Sequence, residues 1–234
     1  MKHRGKAVLA KNWVKQDSLD AQEIIIEYCC GQNSAIGKYT TSSLVVRFTA
    51  EDDLTKKETL ATVKAVAEAN PKASVLLWVA IPCTGGSPLQ HINHARGMDP
   101  DRLRAHWKLF RKLWSGFEKV GQRIQSLGGQ IVIEWPHRCQ YWNDPRVAAY
   151  IRRNAFVKFK IDGCMYDMKP FKTNPSIPNG RVHKVWIMAT SDEKLGNYLE
   201  ASCDHQHHHV PISGVNTKPT DNYPVRMVRR IHQF

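Results

Sequence analysis

Two apolar runs, each broken by a turn that carries a reactive side chain, limit what this chain can fold into. Val75-Leu76-Leu77-Trp78-Val79-Ala80 runs without a polar residue into Ile81-Pro82-Cys83-Thr84-Gly85-Gly86-Ser87-Pro88. A run of that length followed by Pro and Gly predicts a buried strand ending in a tight loop. Gln130-Ile131-Val132-Ile133 ends in the same manner, in Glu134-Trp135-Pro136. Open α/β sheets place their chemistry in the loops just past the strands. The sequence therefore predicts a thiol and a carboxylate, each held at a strand end. That pair suits covalent attack on an electron-poor ring: the thiol adds, and the carboxylate hydrogen-bonds or protonates the ring.

The rest of the chain extends the same alternation. Apolar runs predict further strands over 23–28, 44–49, 155–161 and 182–190. Helical spacing of apolar residues predicts helices over 56–69, 99–127, 145–153, 191–202 and 225–232. Asp99 and Pro100 open the longest of these, and Gly128-Gly129 closes it. Ser191 is read as the cap of the 191–202 helix. Strands alternating with helices mean a mainly parallel sheet with helices on both faces. Residues 1–20 read as a basic N-terminal arm, 21–202 as the main domain, and 203–234 as a His-rich loop and C-terminal helix packed on it.

Composition narrows the partners. There are 34 Lys plus Arg against 21 Asp plus Glu in 234 residues, a net charge of +13. Such a balance favours a polyanionic partner, with nucleic acid first and an anionic membrane surface second. No apolar stretch approaches the ~18 residues of a membrane span, so no membrane partner is expected. The six cysteines do not follow disulfide-framework spacing and fit a reducing, intracellular compartment (cytoplasm or nucleus). Oligomeric state is not legible. The 99–127 helix carries Arg104, Lys108, Arg111 and Lys112 on its polar side, and Arg229 and Arg230 follow near the C-terminus. Together they predict a continuous basic surface that tracks a phosphate backbone. Ser87, His91, Asn93 and Arg96, just past the Cys83 loop, stand where a substrate phosphate or base would lie. The segment Cys203-Asp204-His205-Gln206-His207-His208-His209 offers zinc ligands, with Cys203, His205 and His207 as the candidate set. One short loop does not easily close a four-ligand site, so a distant ligand, Cys164 or Cys139, is required.

In order along the chain, these loops resemble the DNA cytosine-5 methyltransferase family, most closely its short phage-like and dinoflagellate-type relatives. Glu27-Tyr28-Cys29-Cys30-Gly31-Gln32-Asn33-Ser34 is similar to the family's cofactor loop. Ile81-Pro82-Cys83-Thr84 is similar to its Pro-Cys nucleophile motif, and Glu134-Trp135-Pro136 to its Glu-Asn motif. The segments 162–166 and 184–190 resemble a paired stretch of the short relatives. The resemblance implies a class I methyltransferase-like (Rossmann-like) α/β fold and S-adenosylmethionine-dependent methylation of cytosine carbon 5. It implies Cys83 as nucleophile, Glu134 as the ring-binding acid and Lys184 as the residue that orients the target. The cofactor would be held by Glu27, Tyr28, Gly31, Ser34 and Pro82, with Asp52 or Asp53 on the ribose. Only Gly31 matches the family's glycine pattern, Trp135 stands where the family has Asn, and no separate target-recognition domain is present. The alternatives are a catalytically inactive nucleic-acid-binding module on the same fold, and a zinc-containing nucleic-acid-binding protein.

Overall fold

The structure is a computed structural model, and it describes residues 5–15, 20–173, 176–212 and 218–234. Its strands are β1 (Lys6–Leu9), β2 (Glu23–Tyr28), β3 (Leu44–Phe48), β4 (Ser74–Val79), β5 (Gln130–Pro136), β6 (Val157–Asp162), β7 (Arg181–Val182), β8 (Val185–Thr190) and β9 (His209–Val210). Seven of them form one sheet in the order β1-β3-β2-β4-β5-β8-β6, and β7 pairs with β9 apart from it. Every pairing from β1 to β5 is parallel, and β8 runs antiparallel to both β5 and β6. The mainly parallel sheet expected from the apolar runs is therefore present. Among the described residues no helix is long and apolar enough to cross a membrane.

Alternation along the strands sorts the helices onto two faces. Ile24, Ile26 and Tyr28 of β2 share a core with Leu77, Val79, Ile131 and Ile133. That core is covered by α2 (Lys57–Glu68), α4 (Pro100–Ser126) and α5 (Pro145–Arg153). Ile25, Val45, Trp78 and Val132 face the other way. They are covered by α1 (Ala35–Lys38), α6 (Glu193–Leu199) and α7 (Val225–Ile231). The remaining helix, α3 (Leu89–Ala95), follows the Cys83 loop. Helix α4 starts where the sequence places it: Asp99 accepts from the Asp101 amide and Pro100 occupies the first turn. Phe110, Trp114, Phe117, Val120 and Ile124 are each no more than 1% exposed. Burial of side chains this size stabilises the fold by about 1.5–3 kcal/mol each.

Four expectations are corrected. Lys6–Leu9 is not an arm but the edge strand, paired along its length with Leu44–Arg47. Asp192, not Ser191, caps α6, its carboxylate accepting from the Leu195 amide. The 182–190 run is two elements, because Val182 joins the β7–β9 ribbon and the large sheet is entered only at Val185. The continuous basic surface does not form, because α4 and α7 pack on opposite faces of the sheet. Arg230 is drawn away further, its guanidinium lying 4.1 Å from the Tyr198 ring centre.

Candidate functional site

The C-terminal ends of β2, β4 and β5 open onto a cleft of about 510 Å³. Glu27, Gly31, Ser34, Asp53, Pro82, Cys83, Glu134 and Lys184 all line it. Residues separated by up to 157 positions thus converge on one cavity, and the sequence reading named each of them.

The Cys83 loop is fixed from three sides. Thr84–Gly86 forms a single 3-10 turn. A Cβ at Gly85 would stand 2.5 Å from the Tyr141 hydroxyl, and one at Gly86 2.7 Å from Cys139 Sγ. Both glycines are required by this close approach. The indole N–H of Trp135 donates to the Ile81 carbonyl at 2.7 Å, tying the end of β5 to the strand that delivers Cys83. Trp135 thus holds the Cys83 loop, a role its sequence position did not disclose.

Glu134 is 6% exposed. Burial is the largest influence on its carboxyl and raises the pKa to about 7, against the hydrogen bond from Tyr223 and the charge of Lys184. The Tyr223 hydroxyl donates to Glu134 Oε2 at 2.5 Å and accepts from Trp78 Nε1 at 3.0 Å. Lys184 donates from Nζ to the Thr220 carbonyl and lies 3.8 Å from Asp221 Oδ1. Cys83 is half-buried. Its thiol is pushed up first by that burial and then by the charge of Glu134, with Lys184 opposing. The segment Thr220–Tyr223 therefore contributes, after burial, to the electrostatics of both side chains, through Tyr223 and Asp221 at Glu134 and through Asp221 at Cys83. In the sequence this segment falls between the His-rich loop and the 225–232 helix, and no local pattern marks it as part of a site.

At the other end of the cleft, Glu27 is 1% exposed and accepts from the Ser34 hydroxyl. Its pKa rises to about 7, chiefly from burial, with Ser34 and Arg47 holding it down. Its Oε2 has no hydrogen-bond partner among the described residues. A Cβ on Gly31 would meet nothing within 4 Å. No packing contact within the protein requires a glycine there.

Tyr28 and Asp52 do not belong to this site. Neighbours on a strand point to opposite faces, so Glu27 in the cleft puts Tyr28 in the α4 core. There it is 0% exposed and donates to the Leu113 carbonyl at 3.0 Å. Asp52 is consumed in a capping box, accepting from both the amide and the hydroxyl of Thr49. Asp53 stays at the cleft, its Oδ1 accepting from Thr55.

Of the residues read as nucleic-acid contacts, Ser87 and Arg111 line a second groove of about 670 Å³ on the far side of the Cys83 loop. Arg96, Lys108 and Lys112 are exposed near it in the chain, and Arg104 pairs with Asp101. Asn93 bonds to Gln90 at 3.3 Å. His91 falls within α3, and its side chain lies outside the described ones. Arg229 is exposed on the opposite layer. The candidate zinc set is redrawn as well. Cys203, His207, His209 and Cys164 bring one ligand atom each within 4.8 Å of one another, and His205 stands outside that group. The chain turns at His205 through a left-handed φ of 58°, and its ring lies edge-on to those of His183 and His209. Compared with known proteins, the chain matches no family model, no curated protein and no solved structure.

Proposed function

We propose that the cleft transfers a methyl group from S-adenosylmethionine to carbon 5 of a cytosine in nucleic acid, DNA before RNA, through a covalent adduct with Cys83. The observation that carries this reading is the convergence of Cys83, Glu134 and Lys184 with Glu27 and Gly31 on one cavity at the sheet edge. The mainly parallel sheet with helices on both faces agrees with the methyltransferase-like fold that the sequence resemblance implies. The residues fit the cofactor: an unpartnered buried carboxylate oxygen on Glu27 suits its amino group, and Asp53 suits its ribose hydroxyls. The cofactor supplies an electrophilic methyl group.

The chain's own residues do the rest. The Cys83 thiolate bonds to carbon 6 of the ring, the 5,6 double bond opens, and its electron pair makes carbon 5 nucleophilic. Once carbon 5 carries the methyl group, loss of its proton to solvent re-forms the double bond and expels the Cys83 thiolate, and N3 returns its proton to Glu134. Glu134, with a pKa of about 7, holds a proton near neutrality and can place it on N3 as that pair develops. A protonated Glu134 also removes the negative charge that opposes ionisation of Cys83. Lys184 stands across the cleft to orient the target. The ring reaches this cavity only when turned out of a duplex, at a cost of about a few kcal/mol. The α4 cations beside the Cys83 loop would hold the flanking phosphates.

The test is transfer of labelled methyl from S-adenosylmethionine to mixed DNA and RNA, with Cys83→Ser alongside. Incorporation by the wild type and none by the variant is expected. Nucleic-acid binding without incorporation would overturn the catalytic reading and leave a binding module on this fold.

A further inference from the structure

We infer that Cys164, Cys203, His207 and His209 form a closed four-ligand zinc site that fastens the His-rich loop to the end of β6. This inference does not depend on the chemistry of the cleft. Tetrahedral zinc with Zn–S of about 2.3 Å and Zn–N of about 2.0–2.1 Å sets S···N edges of about 3.6 Å and N···N edges of about 3.3 Å. Cys203 Sγ lies 3.7 Å from His207 Nε2 and 3.5 Å from His209 Nε2, and the two Nε2 atoms are 3.1 Å apart. Three edges thus have the lengths a zinc tetrahedron requires, and Cys164 Sγ completes the set within 4.8 Å of all three.

The four residues come from three places that the backbone already holds together. Cys164 sits in the turn directly after β6, fully buried. The carbonyl of Ala201 accepts from the Asp162 amide at 2.8 Å, which sets Cys203 beside that turn. His209 is held by β9 against β7. The surrounding groups suit a metal-bound thiolate and imidazoles. The Cys203 amide donates to buried Asp162 Oδ2 at 2.7 Å, and the His205 amide donates to Cys203 Sγ at 3.3 Å. His207 presents Nε2 to the cluster while its Nδ1 lies 3.6 Å from Asp204 Oδ1, a carboxylate placed on the side of the ring away from the cluster. The His209 ring stacks on His183 at 4.6 Å and 11°. Two thiolates and two imidazoles select zinc over harder divalent cations. Four protein ligands leave no open position, so the site is structural.

The experiment uses the full untagged chain, refolded with excess Zn²⁺ and then freed of loose metal. One zinc per chain by elemental analysis is expected. Replacement by Co²⁺ is expected to give the intense visible bands of tetrahedral cobalt together with a near-ultraviolet sulfur-to-cobalt band. Cys203→Ser and His207→Ala should each lose stoichiometric metal, His205→Asn should keep it, and Asp204→Asn should weaken binding by about tenfold. Should the ligand variants fail to fold, the wild-type cobalt spectrum alone decides. A spectrum without thiolate bands, substoichiometric zinc, retention of zinc by Cys203→Ser, or its loss from His205→Asn would each overturn the assignment.

Discussion

Cys83 and Cys203 are the same residue in opposite settings. Cys83 stands at the parallel end of the sheet, where burial and the carboxylates of Glu134 and Asp221 oppose its ionisation, and Lys184 and a backbone hydrogen bond favour it. Cys203 stands past the antiparallel end, where two imidazole nitrogens and one backbone amide contact its sulfur and a second thiol lies close by. Under the proposed reading, the first thiol becomes a nucleophile when its proton leaves in the presence of a ring. Under the zinc inference, the second thiol, with imidazole nitrogens around it, is a ligand. The neighbours therefore assign the function, and the cysteine alone does not.

Paired substitutions break this comparison most directly. Cys83→Ser is expected to reduce methyl transfer to background while leaving the melting temperature almost unchanged, since a serine fills the same half-buried position. Cys203→Ser is expected to lose metal and cost about 4 kcal/mol, or roughly 8–16 °C in Tm, with transfer surviving at temperatures where the protein stays folded. Thermal melts and methyl-transfer assays on both variants read the contrast. A Cys83→Ser protein that melts early, or a Cys203→Ser protein as stable as the wild type, would erase it.

The carboxylates of the cleft give the next effect. Glu27 and Glu134 are raised by burial from 4.5 to about 7. The folded state therefore binds more protons than the unfolded state between those values. Stability is full below the unfolded pKa and is lost as pH rises through the folded one, by about 3 kcal/mol per group. Glu134→Gln mimics the protonated form. It is expected to match the wild type in urea unfolding at pH 5 and to exceed it at pH 8, while methyl transfer is lost. Equal stability at pH 8 would mean that the carboxylate is ionised without penalty, and the ring-protonating role would fall with it.

Gly31→Val separates packing from binding in the same cleft. The added side chain meets no protein atom near its Cβ. Stability should therefore change by no more than about 0.5 kcal/mol. Affinity for S-adenosylmethionine, followed by calorimetry, should fall because the valine projects into the space the cofactor would fill. Unchanged affinity would place the cofactor elsewhere.

Much of the cleft was legible because its parts follow continuous apolar runs. Ile24–Ile26, Val75–Val79 and Ile131–Ile133 are buried on both faces, so each announces a strand, and the loop residues after it come to the sheet edge together. Tyr28 could have been rejected from the same pattern, since period-two alternation separates it from Glu27. The edge strand Lys6–Leu9 was hidden because an edge needs only half-buried residues and only four of them, and its lysine reads as part of a basic tail. The roles of Tyr223 and Trp135, and the choice of Cys164 over Cys139 as partner of the His-rich loop, were hidden for another reason. They depend on long-range placement, of the C-terminal segment over β5 and of β9 beside β7, which no local period encodes. The two basic clusters failed as one surface because net charge carries no information about which face of a sheet a helix covers.

Tyr223 offers the smallest and most specific change. Tyr223→Phe keeps the ring between Trp78 and Trp186, whose centres lie 5.5 Å and 5.8 Å away. It removes only the hydroxyl that donates to Glu134 and accepts from Trp78. That hydrogen bond favours the ionised carboxylate, so its loss raises the pKa of Glu134 beyond about 7. The proton on Glu134 is then kept to higher pH, and the alkaline limb of methyl transfer should move upward. Loss of one buried partner should cost about 1–3 kcal/mol of stability. A pH–rate profile of Tyr223→Phe beside the wild type reads the shift. Should the limb stay where it is while stability falls, Tyr223 braces the C-terminal segment and does not tune the acid, and the pH dependence of the cleft would belong to Cys83.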